Sequence, residues 1–148
     1  MTVHYSNVYL ETQAMTSNPL SLVVALYESA IAKVARAMRA VEEDDKEKRG
    51  EMTSQTAEIL LALSNALDFT QSNKLAGRLF ALYNFLMRQL LEANRNNDIE
   101  ILQEVKSTLG ILLSGWQNLE SGATAAPEVG VHASAEAVES RVSFQMFA

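Results

Sequence analysis

Between Pro19 and Pro127 no proline interrupts the chain, and glycines in that stretch are few, among them Gly50, Gly77, Gly110 and Gly115. Over most of it apolar residues recur every three or four positions, the period of one helix face. A stretch of this kind has room for several long helices and nothing in it reads as a strand. Asn18-Pro19 is a helix start, with Asn as N-cap and proline in the first turn, where its missing N–H costs nothing. The first helix is expected to reach about Val41 and to end in EEDDKEKRG, a solvated turn. A second helix is expected over about Glu51 to Leu67, carrying Met52, Ile59, Leu60, Leu63 and Leu67. DFTQSN breaks the pattern, and a third helix follows over about Lys74 to Asn94. Asn97 with Glu100 reads as a capping box opening a fourth, which carries Ile99, Leu102, Val105, Leu109, Leu112 and Trp116.

The expected fold is therefore all-α, an antiparallel four-helix bundle with short loops over residues 17–120. An N-terminal extended or short helical segment, residues 1–16, precedes it, and residues 121–148 read as a mobile tail. Within that tail SAEAVESRVSFQMFA places Ala135, Val138, Val142 and Met146 on one side of a short amphipathic helix.

The 148 residues carry 12 basic and 18 acidic side chains, a net charge of −6, which disfavours polyanionic partners; nucleic acid is not expected. Cysteine is absent, which excludes disulfides and thiolate chemistry and suits a reducing compartment. The first residues lack the basic and apolar regions of a secretion signal, and no apolar run approaches the roughly 18–20 residues of a membrane span. A cytoplasmic protein without membrane insertion is expected.

Two helices are more apolar than one core contact requires. A bundle helix needs a stripe somewhat over ~100° wide, and the fourth helix has one. On the third, Leu75, Leu79, Leu82, Leu86 and Leu90 form one stripe and Phe80, Tyr83, Met87 and Leu91 a second beside it. Together they span roughly 180°. On the first helix Leu22, Leu26, Ala30 and Val34 overlap a band with Val24, Tyr27, Ile31 and Met38. Surplus apolar surface is covered by the bundle itself, by an oligomer or by a partner helix lying in a groove. Periodicity does not choose among these.

The chain lacks the constellations of the usual helical enzymes. His4 and His132 are the only histidines, no Glu-x-x-His occurs, and no phosphate loop or nucleophile elbow is present. Glu28 and Glu92 lie at polar helix edges, Asp68 reads as the organiser of the turn to Phe69, and Asn94 as a helix-terminating residue. No catalysis, metal or cofactor is expected.

Two blocks carry a family resemblance. The first runs from Tyr9 through Leu10-Glu-Thr-Gln-Ala-Met-Thr-Ser-Asn-Pro19 to Leu22 and Leu26-Tyr27-Glu28-Ser29-Ala30-Ile31. The second holds Leu67-Asp68-Phe69, Leu79, Ala81-Leu82-Tyr83, Arg88-Gln89-Leu90-Leu91-Glu92-Ala93-Asn94, and Asp98 through Trp116. In order and spacing they resemble the flagellar secretion chaperone family, FliS, over about residues 5–119. Ser17-Asn18 and Glu28-Ser29 depart from that pattern while keeping polarity and size, and the tail beyond Leu119 is longer.

The resemblance implies a cytoplasmic export chaperone that binds the C-terminal helical region of flagellin. It would prevent premature polymerisation and aid delivery to the flagellar type III export gate, with another flagellar regulator as a possible further partner. It also implies that the segment around Tyr5–Leu10 lies over an apolar groove when no client is present. Client-binding residues are expected to be Tyr9, Leu10, Leu22, Leu26, Tyr27, Ile31, Phe80, Tyr83, Met87 and Leu91, on a monomer or weak dimer. The competing expectation is an all-helical homo-oligomeric scaffold without a flagellin client.

Overall fold

The computed structural model describes residues 19–70 and 74–122. Over these residues the chain forms four helices: α1 Pro19–Glu42, α2 Lys46–Asn65, α3 Leu75–Asn96 and α4 Ile99–Glu120. Each packs on its neighbours in chain order and α4 closes on α1, giving the all-α bundle expected. Tyr9, Leu10, both histidines and the amphipathic stretch near the C-terminus lie outside the described residues.

The two tight turns at one end of the bundle are built the same way. At the end of α1, Asp44 takes the left-handed conformation (φ 55°). The Asp44 N–H bonds the Val41 carbonyl at 3.2 Å and the Asp45 N–H the Ala40 carbonyl at 2.8 Å. That pair of bonds satisfies carbonyls a helix end leaves open. Asp45 then serves as N-cap of α2, its carboxylate accepting from the Lys48 N–H at 3.0 Å. At the end of α3, Asn97 is left-handed (φ 54°), and the Asp98 N–H bonds the Ala93 carbonyl at 3.0 Å. Asp98 Oδ1 accepts from the N–H groups of Glu100 (3.0 Å) and Ile101 (3.2 Å).

Both turns correct the sequence expectation. EEDDKEKRG is not a loop reaching Gly50; α2 starts at Lys46, because one aspartate ends a helix and the next begins another. Asn97 is not the N-cap of α4 but the terminator of α3, and Asp98 is the cap. Asn94 does not end α3 either. Its Oδ1 accepts from Arg49 Nε at 2.9 Å, and the Arg49 guanidinium also donates to Asn97. The buried Arg49 thus joins the first turn of α2 to the last turn of α3. Asp68 does organise its turn, accepting from the N–H (2.9 Å) and hydroxyl (2.6 Å) of Thr70.

At the opposite end, Ser21 Oγ donates to Glu120 at 2.5 Å, which places the start of α1 against the end of α4. In the middle, Tyr27 of α1 and Tyr83 of α3 share a hydrogen bond of 2.8 Å, and the Tyr27 and Trp116 rings lie 6.2 Å apart. Leu26, Ile59, Leu60, Leu63, Leu86, Leu90, Leu102 and Leu109 pack around them, fully buried.

Candidate functional site

Six large apolar residues remain 44–59% exposed among the described residues: Leu61, Phe69, Phe80, Phe85, Leu91 and Ile111. Phe80, Phe85 and Leu91 belong to α3, and the other three border it. Leu61 lies one and two turns beyond Ala57 and Ser54, which face α3 across a shallow trough of about 150 Å³ floored by Leu90 and edged by Met87 and Leu91. Phe69 meets Phe80 edge-on, ring centres 5.6 Å apart. On the other flank a cleft of about 350 Å³ runs between α3 and α4, lined by Phe85, Leu86, Gln89, Gln103, Glu104, Val105, Ser107 and Thr108. Ile111 continues the Ser107–Thr108 edge by one turn.

The troughs have a local cause. The rim that α2 turns towards α3 is Gly50, Ser54 and Ala57, side chains too small to fill the space between two helices. On α4 the corresponding positions are Glu104, Ser107 and Thr108, which are short or reach for water. Leu91 and Phe85 of α3 therefore have no bulky partner opposite and stay at the surface.

This separates the two stripes read on α3. Of the first stripe Leu75, Leu79, Leu86 and Leu90 are core and Leu82 is half-buried against it. In the second stripe Tyr83 is fully buried, Met87 is half-buried at the trough, and Phe80 and Leu91 stand outside. The broad band of α1 goes the other way. Leu22, Leu26 and Tyr27 are buried and Ile31 half-buried, because α1 packs on both α2 and α4 and sends Tyr27 across to α3. Tyr27 and Tyr83 thus sit in the interior rather than on an open groove. Leu61, Phe69, Phe85 and Ile111 were missing from the expected site. Their signal in the sequence is a bulky apolar residue outside the core stripe of its helix or in the turn after it.

Burial governs the electrostatics of the middle of the bundle. Loss of water pushes the Tyr27 phenol up to about 12, against the opposing effect of its hydrogen bonds, and holds Tyr83 well above the ordinary tyrosine range. Lys33, buried with its Nζ donating to Gln55 Oε1 at 3.0 Å, is lowered by desolvation and by the nearby Arg36. The outward side of α3 is basic: from Lys74 to Asn96 the charged residues are Lys74, Arg78, Arg88 and Arg95 against Glu92, which pairs with Arg95. A chain of net charge −6 thus carries one positive face. No described helix is long and apolar enough to cross a membrane.

A helical bundle whose surplus apolar side chains gather around one helix, between two troughs, has the surface of an interaction protein rather than a closed core. The family pattern described as Flagellar protein FliS matches residues 1–123. A flagellar secretion chaperone FliSB from Pseudomonas aeruginosa is 32% identical over 115 residues, covering 78% of this chain and 91% of that protein. Flagellar secretion chaperones FliS from Campylobacter jejuni (31% over 120 residues, 81% and 94%) and Salmonella typhimurium (29% over 121 residues, 81% and 90%) are also similar. The chain belongs to the FliS family of flagellar export chaperones.

Proposed function

We propose that this chain is a cytoplasmic chaperone that holds the C-terminal helical region of flagellin on the flanks of α3, blocks premature polymerisation and delivers the subunit to the flagellar type III export apparatus. The work is binding; no bond is made or broken. The observation that carries the reading is the gathering of Leu61, Phe69, Phe80, Phe85, Leu91 and Ile111 around a single helix, while the rest of the bundle closes over its core. A client segment that folds on binding loses conformational entropy, and apolar burial at about 25 cal/mol per Å² must offset that loss. Several exposed side chains along two troughs supply such an area.

Calorimetry and circular dichroism with a C-terminal flagellin peptide test the reading. Saturable binding with a gain of helix is expected, weakened at least about tenfold by Phe80→Ser together with Leu91→Ser, a loss of about 1.4 kcal/mol. A chain that is stably oligomeric by light scattering and ignores the peptide is a homo-oligomeric scaffold instead. Tyr9 and Leu10 are proposed to cover part of this surface until the client displaces them. Deleting residues 1–12 should then change client affinity while leaving the helical signal of the bundle intact.

A further inference from the structure

The described chain leaves the bundle at Gly122, just past Glu120, which Ser21 ties to the start of α1. That is the end at which Phe69 and Phe80 meet. The family match stops at residue 123, so nearly all of the 26 residues after Gly122 are additional to the chaperone pattern. They carry an apolar repeat, Ala135, Val138, Val142 and Met146, and two phenylalanines, Phe144 and Phe147, off that stripe. They also carry Glu128, Glu136 and Glu139 against Arg141, an acidic balance.

We propose that residues 134–148 dock in the trough between α2 and α3, over Leu61, Met87 and Leu91, and act as a tethered competitor for the client. Two observations select this place. Residues 134–148 carry Glu136 and Glu139 against Arg141. Arg88 stands on the outward side of α3 near Leu91, where Glu92 is already paired with Arg95, whereas the cleft on the other flank has Glu104 on its rim. The α2 rim is small and uncharged (Gly50, Ser54, Ala57), which leaves room for apolar side chains without burying a charge. Reach does not restrict the choice. Residues 123–133 extend up to roughly 36–40 Å, and a helix the length of α4 is about 33 Å long. Tethering raises the local concentration of the segment to the millimolar range, so a weak contact suffices to compete. The regulatory part of this proposal rests on the client reading above; the docking part does not.

The chain has no cysteine, so pairs can be introduced cleanly. Ser143→Cys is combined in the full chain with Asn84→Cys, which lies on α3 one turn from Phe80, and in separate chains with Arg36→Cys on the exposed side of α1 or Glu104→Cys on the α4 rim. All three positions are within reach of the tether. In dilute, mildly oxidising solution the Asn84 pair is expected to close at least about tenfold faster than the other two, consistent with a tethered contact. Leu91→Asp should remove that excess while leaving the helical signal unchanged. Equal rates for the three pairs, fastest closure at Glu104, or closure only between molecules would each overturn the proposal. Adding the flagellin peptide separates the two readings. A peptide that binds while the closure rates are equal rejects the tail alone; one that never binds while the Asn84 excess persists rejects the client.

Discussion

The hydroxyls of Tyr27 and Tyr83 meet at 2.8 Å in the middle of the bundle, both side chains wholly removed from solvent. Their helices are not chain neighbours, so this bond links α1 to α3 across the core. Each hydroxyl is a buried polar group, and removing one takes a hydrogen bond from the other, though Tyr27 keeps its contact with Trp116. Tyr83→Phe alone is expected to cost about 1–3 kcal/mol, whereas Tyr27→Phe with Tyr83→Phe costs no more than either single change. Urea unfolding of the four chains measures the coupling; additive costs would show that the bond contributes nothing.

The same pair sets an alkaline limit. A phenol whose pKa is raised on folding keeps its proton in the native state after the unfolded chain has lost it. Stability is therefore intact below pH ~10, the ordinary tyrosine value, and falls as pH rises towards and through the folded value, about 12 for Tyr27. Each tyrosine contributes a slope of up to about 1.4 kcal/mol per pH unit in that window. Lys33, lowered in the fold, works in the opposite direction below the ordinary lysine value. Comparing the native chain with the double phenylalanine variant cancels it. The variant should show the flatter loss of urea midpoint between pH 9.5 and 11.5, within the interval from ~10 to ~12 that these shifts define.

Arg49 holds two turns together through one planar group, donating to Asn94 and Asn97 at once. Arg49→Met should destabilise by about 2–3 kcal/mol, as loss of hydrogen bonds from a charged donor does. Arg49→Lys should recover less than half, because an ammonium does not reproduce the fork of a guanidinium. Thermal unfolding followed at 222 nm reads both.

Leu90 and Leu91 are adjacent in the chain and opposite in consequence, 1% and 59% exposed. Leu90→Ala should cost about 2–5 kcal/mol through lost burial and a cavity. Leu91→Ala should change stability by less than about 0.5 kcal/mol yet weaken binding of the flagellin peptide. If Leu91→Ala leaves affinity unchanged, the trough is not where the client sits.

Helix number, helix positions and the core stripe of α4 were legible in the chain, because period and caps are local properties. Pro19 opens α1 as expected, and Leu102, Val105, Leu109, Leu112 and Trp116 are buried as expected. The turns were legible only in outline. Asp44-Asp45 and Asn97-Asp98 each pair a left-handed terminator with an N-cap, and in a run of polar residues composition does not say which residue takes which role.

The site divided along the same line. That α1 and α3 carry more apolar surface than a single contact hides follows from counting residues around a helix. Which part of that surplus lies inside came from how the helices pack. Packing α1 between α2 and α4 sends Tyr27 inward to meet Tyr83, and small residues at Gly50, Ser54 and Ala57 leave Leu91 without a partner. The physical reason is that burial belongs to a pair of surfaces: the exposure of a side chain on one helix is set by the size of whatever stands opposite, which its own periodicity does not encode.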